Sequence, residues 1–279
     1  MLPPSRYRCG MRHAARPVGD LLREWRQRRR LSQLDLAIEA DISAKHLSFL
    51  ETGRSRPSRD MILHLAERLD VPLRERNILL VAAGFAPAFP ERSLDDPALK
   101  AARKAIDLVL AGHEPYPALA IDRHWTLITA NGAVMRLLAG TDPAMLQPPV
   151  NVLRLSLHPK GLAPRIANLP EWRAHLLARL RQQIDITADP ILIDLLRELT
   201  DYPVPSSDLS SGSADRNAMV AVPFRLVTET GLLAFFSTTM IFGTPVDVTL
   251  SELAVESFFP ADAATAETLG RLADSGAGN

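Results

Sequence analysis

The stretch LSQLDLAIEADISAKHLSFLETG, residues 31–53, decides the fold of this chain. Ser32 followed three residues later by Asp35 has the spacing of a capping box, in which each residue bonds the backbone of the other at a helix start. Ser43 has the side chain of an N-cap for another helix immediately afterwards. The stretch therefore predicts two short helices separated by a tight turn.

Two short helices pack at a steep angle only where their contact is small and the turn between them is tight. Ala37 supplies the small contact, and Asp41 tolerates the left-handed backbone conformation better than most residues. Packed in this way, the second helix stands out far enough to enter a DNA major groove about 12 Å wide. The aliphatic side chains expected to be buried in the packing of the two helices are Leu36, Ile42, Leu47 and Leu50.

Further helices are predicted on both sides of this pair. A preceding helix has an apolar face, and Ser58 and Pro72 open two later helices, the second of which closes at Gly84. The sequence thus predicts a five-helix domain over residues 18–84. The apolar face of the first helix consists of Leu21, Leu22 and Trp25.

With these motifs the segment Val18–Ala83 resembles the lambda repressor/Cro-type, or XRE-type, helix-turn-helix regulators. The shared residues include Gln33, Ala37, Ser43, Leu47, Glu51 and Gly53 in the expected order. Asp41 is a departure, since the family usually has Gly there, and we expect a small cost in stability with the turn intact.

The resemblance implies that the helix after Ser43 is a recognition helix, and that a homodimer binds a pseudo-palindromic operator in double-stranded DNA. Lys45 is expected to donate to guanine, and Ala44 or Phe49 to touch thymine methyl groups. Gln33 is expected to bond a phosphate and to brace the recognition helix. The full predicted DNA-binding set is Gln33, Ser43, Ala44, Lys45, Ser48, Phe49, Arg54, Arg56 and Arg59.

Each of these residues also has a purely structural interpretation. Gln33 can be a surface helix former, Phe49 can belong to the core, and the arginines can form a solvated face. The charge distribution favours the functional interpretation, because residues 1–92 contain 17 Lys and Arg against 11 Asp and Glu, while the whole chain has a formal charge of zero. A basic head on an acidic body indicates a polyanionic partner.

Residues 1–17 are predicted to be a flexible leader, because they are basic and contain no apolar signal core. The single cysteine, Cys9, lies there and has no partner for an internal disulfide. No apolar run has the length of a membrane span. These features together predict a cytoplasmic protein.

A linker and connecting helix are predicted over residues 85–112, and a larger domain over residues 113–273. Two strands, a group of helices and three more strands are the order of a PAS-like α+β fold, in which a small antiparallel sheet and its helices enclose a cavity. The strands are predicted at Ala118–Asp122, Trp125–Ala130, Met219–Thr228, Leu232–Phe242 and Val246–Phe258, with an exposed loop at Tyr202–Asn217 and a final helix at Ala263–Ala273.

This second region resembles the MmyB-like ligand-binding domain that is commonly fused to this type of helix-turn-helix. The motifs that carry the resemblance are HEPYPAL (113–119), DRHW (122–125), Ala130-Asn131, LHPKG (157–161) and WRAHL (172–176) together with Arg165 and Asn168. The resemblance implies a sensor for a small apolar molecule such as a fatty acid.

The predicted ligand-binding residues combine apolar side chains with a few polar ones. Arg165 is the expected anchor for a carboxylate, because a guanidinium holds two oxygens in a fixed fork. The apolar residues can equally fill an ordinary core, and the polar ones can cap helices. The set is Trp125, His158, Arg165, Asn168, Trp172, Phe224, Phe235 and Met240.

An enzyme and a protein-docking module are the competing function classes. No nucleophile elbow, phosphate loop or zinc-binding helix motif occurs, and the seven histidines lack metal-ligand spacing, so no catalysis, cofactor or metal is expected. A cavity in the larger domain would favour a sensor, whereas a large flat apolar patch would favour a docking module.

Overall fold

The computed structural model describes residues 16–203 and 222–276, and it has the α+β fold that the sequence predicts. Most of the predicted leader, most of the predicted loop Tyr202–Asn217 and the start of the strand predicted from Met219 lie outside these residues. Apart from short segments, the chain forms two compact units with the boundary after Arg92. Among the described residues, no helix combines the length and apolarity that crossing a membrane requires.

In the first unit, three of the five helices begin at the serine caps that the sequence predicts. Ser32 Oγ accepts a hydrogen bond from the Asp35 amide at 3.1 Å, and Asp35 Oδ2 accepts one from the Ser32 amide at 2.9 Å. Ser43 and Ser58 accept from amides three residues later in the same way. The helices are α1 Val18–Arg28, α2 Gln33–Glu39, α3 Ala44–Glu51, α4 Arg59–Arg68 and α5 Leu73–Ala82.

The turn between α2 and α3 has the predicted geometry. Asp41 has φ 50°, the left-handed conformation expected of it, and Ala37 is almost fully buried at the contact. Leu36, Leu47 and Leu50 are fully buried as well, whereas Ile42 is only half-buried. Burial of these aliphatic side chains is the main favourable contribution to packing in this unit.

Gly19 allows α1 to approach the end of α3. A Cβ atom at this position would lie 2.5 Å from the carbonyl oxygen of Leu50 and 2.7 Å from that of Glu51. Both neighbours are backbone atoms, which cannot move aside by changing a rotamer. The glycine is therefore required by the packing of two helices and not by a turn.

The second unit contains a five-stranded sheet and seven helices among the described residues. Every neighbouring pair of strands is antiparallel, and the spatial order is β2-β1-β5-β4-β3. The strands are β1 Ala118–Ile121, β2 Leu127–Ala130, β3 Phe224–Thr228, β4 Gly231–Ile241 and β5 Ala254–Pro260. The helices are α6 Lys100–Gly112, α7 Gly132–Leu137, α8 Val152–Leu157, α9 Leu169–Thr187, α10 Pro190–Asp201, α11 Val248–Ser251 and α12 Ala263–Gly276.

Both faces of this sheet contact helices. On one face, buried side chains of α7, α8, α9 and α10 form the large core together with Leu226, Leu233 and Phe235 of the sheet. On the other face, Ala118 and Ala120 of β1 pack in a smaller core with Ile106 and Leu110 of α6. The short alanine side chains let the helix lie close to the strand.

Three predicted strands differ from the observed ones, each for a local reason. The strand predicted at Val246–Phe258 is wrong over its first half, where α11 lies instead. Ala254 pairs with the terminal residues of both β1 and β4, so residues before it have no strand to pair with. The strand predicted from Met219 begins at Phe224, directly after Pro223, which has no amide hydrogen to donate.

The second predicted strand also begins later than expected, at Leu127. Trp125 has φ 64°, which interrupts an extended backbone. The Asp122 carboxylate accepts hydrogen bonds from the amides of His124 and Thr126, both at 2.8 Å, and so extends the turn by two residues.

We expect Gly19→Ala to destabilise the protein by about 1–3 kcal/mol, the usual cost of forcing extra atoms into a packed contact. Guanidinium-induced unfolding of the full chain measures the change. Gly270→Ala is the control, because that glycine lies inside α12 with open space around its Cβ position and should not lose stability. Equal unfolding of wild type and Gly19→Ala would contradict the close approach of α1 and α3.

Candidate functional site

The surface of the first unit that the sequence assigns to DNA is centred on α3. Lys45 is exposed, Ala44 and Ser48 are half-buried, and Leu47 and Leu50 face the core. The helix therefore has one buried face and one accessible face, and the accessible face carries the side chains expected to read bases. Ser43 caps the helix through its side-chain oxygen, which accepts from the His46 amide at 3.1 Å.

Phe49 is half-buried, so it belongs neither fully to the core nor fully to the surface. Its ring contacts two cations, because Lys45 Nζ lies 5.7 Å and Arg54 Cζ lies 5.8 Å from the ring centroid. Cations over an aromatic face are attracted by its quadrupole. Phe49 thus holds two positive charges close to the accessible face of α3.

A buried carboxylate holds α3 in place. Glu51 accepts two hydrogen bonds from Arg26, Nε to Oε1 at 2.7 Å and Nη2 to Oε2 at 2.9 Å, and a third from Gln33 Nε2 at 2.8 Å. Arg23 donates to its backbone carbonyl at 3.1 Å. The side chain of Glu51 has no exposed surface, so these bonds replace its hydration and tie α1, α2 and α3 together.

These contacts set the charge state of Glu51. Burial alone would raise the pKa of its carboxyl, but the hydrogen bonds from Arg26 and Gln33 and the charges of Arg26 and Arg23 outweigh burial and hold the pKa below its usual value. The carboxylate is therefore ionised at neutral pH and forms a full ion pair with Arg26.

The basic residues around α3 differ from those on α1. On α1, Arg26 and Arg28 bond glutamates, and Arg29 donates to the backbone carbonyls of Leu69 and Asp70. By contrast, the four cations around α3 form no ion pair within the described part of the chain. These four residues are Lys45, Arg54, Arg56 and Arg59, and all are exposed.

The second unit contains a cavity of about 100 Å³ between the sheet and its helices. Its lining is mainly apolar, and it includes Trp125, Trp172, Leu176, Phe224, Phe235 and Phe258. This is the composition of a small-molecule pocket, in which a few polar groups lie among hydrophobic and aromatic side chains.

The polar part of this lining centres on Arg179 of α9 and Glu256 of β5. Arg179 Nη2 donates to Glu256 Oε1 at 2.6 Å, and its Nη1 donates to Oε2 at 3.3 Å. The Arg179 guanidinium also lies 4.9 Å from the centroid of the Trp125 ring. Glu256 is 5% exposed and the Arg179 side chain is 25% exposed, so a partly buried ion pair lies against a mainly apolar cavity.

Trp125 links this ion pair to the turn between β1 and β2. Its indole Nε1 donates to Gln183 Oε1 at 2.7 Å, and Gln183 Nε2 donates to the carbonyl of Arg123 at 2.7 Å. A bulky residue with positive φ is strained, and such strain persists only where surrounding contacts hold it. The contacts of Trp125 with α9 hold its ring in the cavity wall.

Comparison with protein-family models decides which family this fold belongs to. The model described as the MmyB-like transcription regulator ligand binding domain matches residues 102–272, and a helix-turn-helix domain model matches residues 17–79. The chain belongs to the MmyB-like transcription regulators. Its first unit thus matches a helix-turn-helix domain, and its second unit matches a domain of a ligand-binding type.

Two similar proteins have names that agree with this family. A putative HTH-type transcriptional regulatory protein of Methanoculleus marisnigri is 34% identical over 125 residues, 43% of this chain and 40% of that protein. An uncharacterized HTH-type transcriptional regulator, RghRB, of Bacillus subtilis is 41% identical over 76 residues, 27% of this chain and 52% of that protein. The MmyB-like regulator thus spans about half the length of these relatives or less.

The structure brings together four of the predicted ligand-binding residues of this MmyB-like regulator. Trp125, Trp172, Phe224 and Phe235 all line the cavity. Met240 does not, and the expectation that it lines the cavity is wrong. It is 45% exposed, and alternation along β4 places it on the opposite face from Phe235.

The three predicted polar residues lie outside the cavity lining, contrary to expectation. Arg165 donates to the carbonyls of Val227 at 3.2 Å and Ala139 at 3.0 Å. Asn168 donates to the carbonyl of Pro223 at 2.8 Å and accepts from the Arg225 amide at 3.2 Å, so it joins α9 to β3.

His158 is the third of these polar residues, and its Nδ1 accepts from the Lys160 amide at 3.0 Å. All three side chains contact the backbone of loops and strands. Polar residues beside apolar ones fit a carboxylate contact and a helix cap equally well in the sequence, so the sequence does not distinguish a ligand contact from a residue that shapes a loop.

Sequence reasoning missed Arg179 and Glu256, although both left a signal. Arg179 follows Trp172 by seven residues on α9, which places the two on the same helical face. Glu256 is the single charge on strand β5, two residues before Phe258, and alternation places those two on one face. Neither signal identifies the other residue as its partner. In the described residues, no group of His, Cys, Asp and Glu could hold a metal ion.

We expect the first unit of the MmyB-like regulator to lose stability in acid through Glu51. Because the pKa of Glu51 is lower in the folded state, its contribution is complete above the ordinary value of 4.5 and disappears as the pH falls through the folded value. Glu51→Gln should cost about 3–5 kcal/mol at pH 7, because it leaves Arg26 buried without a counter-charge.

Urea unfolding of wild type and Glu51→Gln between pH 3 and pH 7 measures this effect. The difference between the two proteins should shrink below about pH 4.5, the ordinary pKa of the group. Glu39→Gln, which changes an exposed glutamate of α2, is the matched control and should unfold like wild type. A constant difference across the pH range would contradict the ion pair.

Proposed function

We propose that this MmyB-like regulator binds a pseudo-palindromic operator as a homodimer, and that a small apolar ligand in its second unit changes operator affinity. The observation that carries the DNA part is the set of four exposed cations around α3 without carboxylate partners among the described residues. Unpaired cations on a surface attract a polyanion, and phosphate contacts release counterions from DNA.

The roles proposed for these residues follow from their positions. Lys45 lies in the first turn of α3 and is assigned to a base edge in the major groove. Arg54, Arg56 and Arg59 follow α3 and are assigned to backbone phosphates. Gln33 is assigned to bracing, since its amide nitrogen bonds Glu51, and to a phosphate through a remaining hydrogen. Ser43, Ala44, Ser48 and Phe49 complete the proposed surface.

The cavity supports the proposal of a small, mainly apolar ligand. Its aromatic and aliphatic lining suits an alkyl chain or a small ring, and a fatty acid is the finer candidate from the sequence. That candidate loses its proposed anchor, because Arg165 bonds backbone carbonyls outside the cavity. We propose further that the protein acts by binding and not by catalysis, and that it works in the cytoplasm.

A ligand changes DNA binding only if it binds one arrangement of the two heads better than another. The predicted domain boundaries place DNA binding and ligand binding in separate domains, so a ligand can act through the arrangement of the heads. The domains are a DNA-binding domain at 18–84, a linker and connecting helix at 85–112 and a ligand-binding domain at 113–273. The cavity favours this sensor over a docking module, which would require a flat apolar patch.

The DNA part predicts different effects for two cations. Lys45→Ala should weaken binding to the operator by about 1–3 kcal/mol with little effect on random DNA, because it removes a base contact. Arg56→Ala should weaken binding to both sequences and reduce the salt slope by about one, because it removes a phosphate contact. Fluorescence anisotropy at several salt concentrations measures both effects.

Arg271→Ala is the control for charge alone, since this arginine lies on α12 of the second unit.

Sedimentation with and without operator DNA tests the dimer, and footprinting tests two half-sites about one helical turn apart. Equal losses for Lys45→Ala on operator and random DNA would refute the assignment of α3. A monomer in both sedimentation runs would refute the homodimer.

The ligand part predicts that toluene, an uncharged apolar probe, raises the melting temperature, because a ligand that binds only the folded state stabilises it by mass action. Leu176→Phe should abolish the increase by filling the cavity, whereas Leu108→Phe, at a side chain that is 63% exposed, should retain it. Operator affinity should shift in toluene for wild type and not for Leu176→Phe. No thermal shift in wild type would contradict the proposed ligand function.

A further inference from the structure

Arg179 and Glu256 are the two charged side chains among the described residues that line the cavity. They lie on elements that are distant in sequence, α9 and β5, and they form an ion pair in the wall of the cavity. Charged groups are costly to remove from water unless they are paired and hydrogen-bonded. The charge and the hydrogen bonds of this ion pair therefore decide which ligand head group can lie beside it.

The guanidinium of Arg179 is already engaged by Glu256. Its Nη1 and Nη2 both donate to the Glu256 carboxylate, and Nη2 also donates to Thr239 Oγ1 at 2.9 Å. Thr239 Oγ1 in turn donates to Glu256 Oε1 at 2.8 Å. The fork that would hold a ligand carboxylate is therefore occupied by a carboxylate of the protein.

The bonds on Glu256 are distributed unevenly. Its Oε1 accepts two short bonds, whereas the bond on Oε2 is 3.3 Å long. A carboxylate oxygen has two lone-pair directions, so Oε2 has capacity for another donor. An O–H or N–H group of a ligand would strengthen the hydrogen bonding of this oxygen without adding charge.

Within the described ranges, the cavity lining contains no further positive charge to attract an anion. His175 lies one turn before Arg179 on α9, and its ring stacks on Trp172 with centroids 5.4 Å apart. Burial and the neighbouring Arg179 lower the pKa of His175, against an opposing effect of Glu256, so the ring is neutral at pH 8. Arg179 and Glu256 thus cancel, and a bound carboxylate would be a second anion beside Glu256.

We infer that the cavity selects an uncharged, mainly apolar ligand with one hydroxyl or amide group, which donates to Glu256, and that it discriminates against carboxylates. The inference rests on the proposed ligand function and specifies its ligand class. Two carboxylates at one guanidinium repel each other, and like charges brought together oppose binding. A neutral head group avoids this repulsion and keeps the Arg179–Glu256 pair intact.

The test compares three probes with the same chain length, octan-1-ol, octanamide and octanoate, on the full-length protein at pH 8 by isothermal titration calorimetry. Octanoate is fully ionised at this pH, because carboxylic acids have pKa values near 4. We expect the alcohol and the amide to bind at least tenfold more tightly than octanoate. This comparison uses only wild-type protein, so it does not depend on the folding of any variant.

Glu256→Gln removes the negative charge and retains the size of the side chain. It should increase octanoate affinity at least tenfold, because Arg179 then faces the cavity without a counter-charge, and it should weaken octanol binding, because a neutral amide oxygen is a weaker acceptor than a carboxylate. Glu198→Gln is the matched control. Glu198 forms an equally bidentate pair with Arg154, with both bonds at 2.7 Å, outside the cavity lining, and its substitution should leave the ranking unchanged.

Octanoate binding as tightly as octanol, or more tightly, in wild type would overturn the inference and leave the proposed ligand function standing. An increase in octanoate affinity in Glu198→Gln equal to that in Glu256→Gln would also overturn it. If none of the three probes binds and toluene gives no thermal shift, the proposed ligand function itself fails. Preference for octanol and octanamide that Glu256→Gln reverses supports the inference.

Discussion

The buried carboxylate of Glu51 is the interaction on which the DNA-reading unit depends. It lies at the last residue of α3, yet its partners Arg26 and Gln33 belong to α1 and α2, so one charged group joins three helices. A buried ion pair adds little stability compared with an apolar core, but it is directional. Its value here is orientation, because α3 must hold one exposed face at a defined angle. Gly19 serves the same purpose by letting α1 approach the end of α3.

The second unit shows a different compromise between packing and use. Its sheet has a helix-covered core on each face, and the larger core leaves space. The space adjoins Trp125, whose positive φ and contacts with α9 keep a large ring in the wall. A protein without use for this space would gain free energy by filling it, since lost packing contacts and cavities are costly. The combination of strain, aromatic lining and an ion pair supports the proposed ligand site.

Charge is organised separately in the two units. Around α3, exposed cations lie without carboxylate partners in the described residues, whereas the charged pair at the cavity is internally neutral. The first arrangement suits a long-range attraction to a polyanion, which is screened by salt. The second suits short-range selection among small molecules, where desolvation and hydrogen bonding dominate. Both arrangements belong to one MmyB-like regulator, so the proposed DNA binding and the proposed ligand selection would rely on different electrostatics.

The sequence by itself determined what is local. Helix starts could be predicted at Ser32, Ser43 and Ser58, because a cap needs only residues a few positions apart. The order of elements identified the fold class and the helix-turn-helix. The tertiary structure alone decided which distant side chains meet. Arg179 and Glu256 are separated by 77 residues along the chain, and Arg26 and Glu51 by 25. It also places Met240 and Arg165 outside the cavity lining. The sequence could not show this, since residue type does not reveal which face of a strand or which side of a loop is buried. Pairing across a sheet depends on register and packing, and these arise only when the whole chain is folded.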